Sequence, residues 1–143
     1  MLRDDWMREI RDHGNPQGEA GAWLRMNPTK SSGSGKERAI CDCDVVAFRF
    51  ALLESDKLPH DLALSLFARL PLPMFAILSS GGRGPYAWVK LDCTDEASYR
   101  ADVAEIFDRL RRFGIDDANS NPSRLSRLVG AQRIIGANGA GEQ

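Results

Sequence analysis

The sequence has few cysteines and no long apolar run, and both features limit the classes of protein to which it can belong. It contains 3 cysteines in 143 residues, an odd count without paired C-x-x-C spacing, which indicates neither a disulfide framework nor a zinc site. Cys41, Cys43 and Cys93 are therefore expected to be reduced thiols. The longest apolar run, from Leu70 to Leu78, is broken by two prolines and falls short of the roughly 20 residues that a membrane span needs. We expect no transmembrane segment.

The chain also lacks an excess of positive charge. Its 19 lysines and arginines stand against 20 aspartates and glutamates, which gives a formal net charge of -1. The basic surplus of proteins that hold nucleic acid mainly by electrostatics is therefore missing, and any contact with nucleic acid is expected to be local. The N-terminus carries charges of both signs without the apolar stretch of a secretory signal, which predicts a cytoplasmic protein.

The apolar pattern predicts one domain of the α+β class. A helix is expected over residues 1–13 and a short strand over 22–26. From residue 48 onward the order is β-α-β-β-α-β, which is typical of a ferredoxin-like or RNA-recognition-motif (RRM) core with two helices on one face of an antiparallel sheet. The predicted core elements are strand 48–54, helix 60–70, strands 74–79 and 86–91, helix 96–113 and strand 132–135.

We divide this predicted domain, residues 1–143, into three parts. An N-terminal unit covers residues 1–46, the RRM-like core covers 47–136, and residues 137–143 form a flexible tail.

Three carboxylates are candidates for binding a divalent cation. Glu54 and Asp56 are two residues apart at the end of a predicted strand, so both side chains point the same way. Asp116 follows the long helix in a loop that is expected to return beside that strand. Mg²⁺ and Mn²⁺ take oxygen ligands and keep positions open for substrate phosphates, as two-metal nucleotidyl transfer requires. Alternatively, Glu54 and Asp56 are a solvated strand end and the aspartates after the helix are turn residues.

Two further segments carry groups that could bind phosphate. Arg124 and Arg127 are three residues apart, so on a helix they would share a face and could fork onto phosphate oxygens. They could equally be surface charges. The loop 79–85 is richer in glycine than a hairpin needs, which would let backbone N–H groups approach an anion, and Arg83 would add charge for a triphosphate.

Together these segments resemble the archaeo-eukaryotic primase superfamily, specifically the small RepB-like primase-polymerase domains of plasmid and phage replication proteins. The resemblance rests on five segments, Leu24–Pro28, Phe48–Asp56, Ser79–Arg83, Ala87–Val89 and Asn121–Leu128. It implies a DNA primase, a nucleotidyltransferase that uses Mg²⁺ or Mn²⁺, nucleoside triphosphates and a single-stranded DNA template, with a replicative helicase as partner. The implied metal ligands are Glu54, Asp56 and Asp116, and the implied phosphate contacts are Ser80, Arg83, Arg124 and Arg127.

Tyr86 departs from the pattern of that superfamily, which has a histidine at this place to contact the incoming nucleotide. A phenol stays neutral near pH 7, whereas an imidazole can carry charge toward phosphate, so an impaired activity is predicted. His60, four residues after Asp56, could reach the site or could be a solvated residue at a helix start.

Two other functions compete with primase activity. The chain could be a catalytically silent RRM-like module that binds single-stranded nucleic acid, with Tyr86 and Trp88 stacking on bases. It could also be a ferredoxin-like interaction domain in which both aromatic residues belong to the core and the carboxylates are solvated.

Overall fold

The computed structural model describes residues 3–15, 21–30, 39–79, 84–115 and 117–131. In chain order, the helices and strands of these ranges are α1 (Arg3–His13), β1 (Trp23–Arg25), β2 (Phe48–Glu54), α2 (His60–Phe67), β3 (Met74–Ser79), β4 (Pro85–Cys93), α3 (Glu96–Leu110) and β5 (Leu125–Arg127). The chain divides into a larger compact unit, residues 25–126, and a smaller one made of residues 1–24 and 127–143. In the described ranges, none of the helices has the length and apolar character that crossing a membrane requires.

A three-stranded antiparallel sheet is the centre of the larger unit. Its order is β2-β4-β3, so β4 pairs with both of its neighbours. A separate two-stranded sheet joins β1 to β5. Mixed α and β structure with small antiparallel sheets confirms the predicted α+β class. The predicted strand 132–135 and the predicted tail 137–143 lie outside the described residues, and the division into parts stays a prediction.

The helices of the larger unit begin and end where the sequence provides signals. Asp95 precedes α3 and accepts a hydrogen bond from the Ser98 backbone N–H at 2.8 Å, an N-terminal cap that also lowers the pKa of its carboxyl. After Leu110 the chain tightens into a 3-10 turn, and Gly114 ends it with a left-handed φ of 77°. α2 ends at Phe67 rather than at Leu70, and Pro71 disfavours continuation of the helix through Leu70, the residue before it.

The sheet carries apolar side chains on both faces. Successive side chains of a strand point to opposite faces, and both sets are apolar here. Ala51 and Leu53 of β2 point toward the helices, where they join Phe67 of α2 and Phe107 of α3 in one buried core. Leu52 points to the other face. There it packs with Met26 and Tyr86, and the partly buried Phe50, Leu78 and Trp88 surround this second cluster.

The buried amide of Asn27 links β2 to the loop before β5. Asn27 is 1% exposed, and its Oδ1 accepts hydrogen bonds from the backbone N–H groups of Arg49 at 2.8 Å and Phe50 at 2.9 Å. Its Nδ2 donates to the carbonyls of Phe50 at 2.9 Å and Pro122 at 3.0 Å. The β2–β4 register shifts between Phe48 and Phe50, and the Asn27 side chain supplies hydrogen bonds to the backbone at this irregularity.

Within the smaller unit, the end of α1 contacts the chain after β5. The helix stops at Gly14, whose N–H bonds to the Ile10 carbonyl at 2.8 Å. Asn15 then donates to the Val129 carbonyl at 3.4 Å. The Leu128 N–H bonds to the Ala22 carbonyl at 3.0 Å, which extends the ladder between the two short strands.

Candidate active site at one end of the sheet

The strand directions bring the ends of three strands together. Because β2 and β3 both run antiparallel to β4, their carboxyl ends lie next to the amino end of β4. We call this end of the sheet the site end. Glu54 lies opposite Tyr86 across the β2–β4 ladder, and Ser79 lies opposite Pro85 across the β3–β4 ladder. Directly opposed residues share a face, so Glu54 and Tyr86 project on the side of the sheet that faces away from the helices.

Glu54 is held by a residue that sequence reasoning missed. Asn119, in a 3-10 turn after α3, donates from Nδ2 to Glu54 Oε2 at 2.8 Å. Asn119 is 1% exposed, and its buried Oδ1 has no hydrogen-bond partner among the described residues. An unsatisfied buried oxygen is costly and therefore points to an additional ligand or water. An asparagine 65 residues from its partner gives no signal in the local sequence pattern.

Ser55 and Gly84 fix the chain directly after β2. Ser55 is fully buried, and its hydroxyl donates to the Gly114 carbonyl at 3.1 Å while it accepts the Leu58 N–H at 3.2 Å. A Cβ placed on Gly84 would lie 2.2 Å from the Ser55 carbonyl oxygen and 3.5 Å from Asp56 Oδ1. Gly84 is therefore required for close packing of the chain before β4, and the exposed Asp56 carboxylate lies beside it.

Gly84→Ala should lower the free energy of unfolding by about 2 kcal/mol, because the added methyl group meets a backbone oxygen that cannot move away by side-chain rotation. Urea unfolding followed by circular dichroism measures the loss. Gly14→Ala is a control, since no atom of the described residues lies within 4 Å of the added Cβ and its left-handed backbone costs about 1 kcal/mol. Equal losses for the two variants would contradict the predicted clash.

The loop after α3 returns beside β2, as the sequence predicts. Gly114 contacts Ser55, and Asn119 contacts Glu54, so both flanks of position 116 reach the site end. Asp116 itself lies outside the described residues, and its role as a third ligand stays a prediction. Asp117 is exposed and lies 3.8 Å from Arg111 Nη2, which matches the alternative of a surface turn residue.

Tyr86 and His60 both lie at the site end. Tyr86 is 8% exposed and packs with Met26 and Leu52, so it is not buried beneath the helices. The ring of His60, the first residue of α2, places Nε2 3.1 Å from the Ser79 hydroxyl. The side chain of His60 is 38% exposed, so an imidazole is available at this edge. The phosphate contacts expected at Ser80 and Arg83 lie outside the described residues.

Arg124 and Arg127 would share a face only on a helix, and their segment is not helical. The segment Leu125–Arg127 is strand β5, because pairing with β1, about 100 residues earlier, satisfies its backbone. Arg124 is half-buried just before this strand. In the smaller unit, the Arg127 guanidinium stacks 3.9 Å from the centre of the Trp23 ring, a cation–π contact. Phosphate binding by these arginines stays a prediction.

Three aromatic side chains cluster on the face of the sheet that carries Glu54. Ring centres of Phe50 and Phe75 are 4.9 Å apart, and the rings of Phe75 and Trp88 are stacked at 6.1 Å with an interplanar angle of 11°. Phe75 is 61% exposed, and the Trp88 indole N–H donates to the Ser126 hydroxyl at 2.9 Å. We call Phe50, Phe75 and Trp88 the aromatic cluster. The sequence pointed to Trp88 alone of these three.

The prediction of three reduced cysteines is wrong for two of them. Cys41 and Cys43 form a disulfide. The 3-10 turn Asp42–Asp44 brings their Cα atoms to 5.4 Å, within the range that a disulfide bridges. Cys93 is a free thiol, and burial together with the neighbouring Asp102 raises its pKa to about 11.

A comparison of the chain with protein-family models finds no match, and neither do comparisons with curated proteins or with solved structures. The resemblance to the primase superfamily therefore stays a prediction from the sequence.

Proposed function

We propose that the chain is a metal-dependent nucleotidyltransferase of the DNA primase-polymerase type that extends a strand on a single-stranded DNA template. One observation carries the proposal: Glu54, Asp56 and both flanks of the Asp116 loop lie at the same end of the sheet. Hydrogen bonds of Ser55 with Gly114 and of Asn119 with Glu54 hold this arrangement.

The donor atoms at this end fit a hard divalent cation. Glu54 and Asp56 offer carboxylate oxygens, and the buried Asn119 Oδ1 is an oxygen without a hydrogen-bond partner in the described residues. Oxygen ligands of this kind suit Mg²⁺ or Mn²⁺. Glu54, Asp56 and Asp116 would hold the ion, which when bound supplies charge neutralisation for the triphosphate and activation of the attacking 3′-hydroxyl.

The protein's own groups have three tasks in this reaction. The hydrogen bond from Asn119 fixes the orientation of the Glu54 carboxylate. The Tyr86 phenol and the His60 imidazole lie at the same edge, where they could donate hydrogen bonds to phosphate oxygens. The 3′-oxygen would displace pyrophosphate from the α-phosphorus, so tight packing around Ser55 and Gly84 serves to position the reacting groups.

The finer fold belongs to the same proposal. We infer an RRM-like core, supported by the strand order β2-β4-β3 with both helices packed on one face. The fourth strand that this topology requires is predicted from the sequence over residues 132–135, which lie outside the described residues. A cytoplasmic location, nucleoside triphosphates as substrates and a replicative helicase as partner accompany this assignment as proposals.

Template-dependent primer synthesis by the full chain tests the function. We expect labelled nucleotide to enter products only with template and with Mg²⁺ or Mn²⁺, and Tyr86→His to raise the rate because it restores an ionisable ring at this edge. The proposal is wrong if neither metal supports synthesis and the Tyr86→His variant is equally inert.

A second candidate function, metal-independent binding of single-stranded nucleic acid, is favoured by the aromatic cluster. Exposed rings on a sheet stack on bases and contribute about 1–3 kcal/mol per base. Phe75, the most exposed ring of the cluster, would contribute most directly. In this alternative the carboxylates at the site end have no role in binding.

Phe75→Ala should weaken binding of a fluorescent single-stranded oligonucleotide about tenfold, measured by anisotropy in the presence of a chelator. Phe113→Ala provides the matched control, because Phe113 is an exposed ring outside the aromatic cluster. Binding that needs a metal ion, or that falls equally in both variants, would exclude this second function.

A further inference from the structure

The turn that carries Cys41 and Cys43 is anchored on the larger unit by contacts that do not involve sulfur. The Asp44 carbonyl accepts the Lys30 N–H at 2.9 Å, and Val45 forms a β-bridge with Thr29. The Asp42 carboxylate accepts the Ser123 N–H and Arg100 Nη2, each at 3.1 Å. The turn should therefore keep its shape whether or not the two sulfurs are bonded.

Three potential metal ligands converge on this turn. The sulfurs of Cys41 and Cys43 and a carboxylate oxygen of Asp44 all lie within 4.8 Å of one another. Atoms this close can share one ion, since Zn²⁺ binds thiolate sulfur at about 2.3 Å and carboxylate oxygen at about 2.0–2.2 Å. Asp44 is buried, and its Oδ2 accepts the Cys41 N–H at 3.0 Å, which holds the carboxylate in position. Cys43 is exposed.

The disulfide contributes little to the architecture. It joins residues only two positions apart, and a loop this short restricts the unfolded chain far less than a long one does. A bond with a small structural effect, next to a buried carboxylate, suggests a chemical role for the two sulfurs.

We propose that Cys41, Cys43 and Asp44 form a zinc site that thiol oxidation closes. In the reduced state both thiols lose their protons to solvent as the thiolates bind Zn²⁺, and Asp44 supplies the third ligand. Three protein ligands leave the fourth position for water.

Exchange with a low-molecular-weight disulfide such as oxidised glutathione forms the Cys41–Cys43 bond. Two electrons pass to the oxidised glutathione, which leaves as two molecules of glutathione after taking up two protons. The disulfide sulfurs are no longer thiolate ligands, so Zn²⁺ is released.

Cys93 is the internal control for this chemistry. Its thiol has a pKa raised to about 11, because of burial and the adjacent Asp102, and a protonated thiol neither binds metal nor exchanges readily with disulfides. Cys93→Ser should therefore leave zinc affinity unchanged.

Zinc binding by the reduced full chain, in competition with a chromophoric chelator, tests the site. We expect one Zn²⁺ per chain, an affinity at least about tenfold lower in Cys41→Ser, Cys43→Ser and Asp44→Asn, and no change in Cys93→Ser. Circular dichroism identifies any variant that fails to fold. If Asp44→Asn fails to fold, the two cysteine variants are sufficient to test the site. No binding, or equal binding by the oxidised chain or by the Cys41→Ser variant, overturns the proposal.

Alkylation after equilibration in glutathione buffers of increasing oxidation tests the switch. Mass spectrometry should show Cys41 and Cys43 losing reactivity together as their disulfide forms, while Cys93, alkylated after denaturation, stays free throughout. Adding Zn²⁺ should shift the transition to more oxidising buffers, because the ion stabilises the reduced form. Thiols that stay alkylatable in every buffer, or a transition that zinc does not move, would refute the redox gate.

Discussion

Glu54→Gln should reduce template-dependent nucleotide incorporation at least about 100-fold while leaving the fold intact. The amide keeps the size of the side chain and can still accept the hydrogen bond that Asn119 donates at 2.8 Å. It loses the negative charge that a divalent ion requires, and removing one electrostatic contributor to a transition state costs about 100-fold to 1000-fold. Asp56→Asn should have an effect of the same order.

Initial rates across a series of Mg²⁺ and Mn²⁺ concentrations measure this loss. Asp108→Asn is the matched control, because Asp108 is an exposed carboxylate on α3, the helix that packs on the face of the sheet opposite Glu54, and it should retain the full rate. A Glu54→Gln variant that keeps more than about a tenth of the wild-type rate would remove Glu54 from the catalytic machinery and would favour the nucleic-acid-binding alternative.

The sequence predicts the sheet of the larger unit well because the relevant signal is local. Alternation of apolar side chains gave β2 and β3 their observed bounds, Phe48–Glu54 and Met74–Ser79. The short strand after Arg124 was not predicted, for the opposite reason. It exists because a partner, β1, lies about 100 residues earlier, and no local pattern contains that pairing.

The candidate site shows the same division between local and distant information. Strand order is sufficient to place Glu54 and Tyr86 at one edge. The two buried asparagines, Asn27 and Asn119, were not found, because their partners are backbone and carboxylate groups 22 to 95 residues away. A polar side chain that acts through distant partners looks in sequence like any loop residue.

Asn27→Ala should produce the largest loss of stability, about 4 kcal/mol in the free energy of unfolding. The variant removes four hydrogen bonds. It leaves the N–H groups of Arg49 and Phe50 and the Pro122 carbonyl without the amide that satisfies them, while the Phe50 carbonyl keeps the hydrogen bond from the Tyr99 hydroxyl at 3.3 Å. Each unsatisfied buried group costs about 1–3 kcal/mol, and water entering the cavity recovers only part of the sum. Asn27→Asp should lie between, since its carboxylate accepts from both N–H groups and donates to neither carbonyl.

Urea unfolding of the wild type, Asn27→Ala and Asn27→Asp measures the loss of unfolding free energy, and Asn121→Ala is the reference variant. Asn121 is half-buried, and its Nδ2 bonds to the Ser123 hydroxyl at 3.2 Å, so its loss should cost only about 1 kcal/mol. The difference between the two asparagines follows from burial and from the backbone groups that depend on Asn27. If Asn27→Ala costs no more than Asn121→Ala, the β2 irregularity must be stabilised by other contacts, and the amide would not be the link between β2 and the loop before β5.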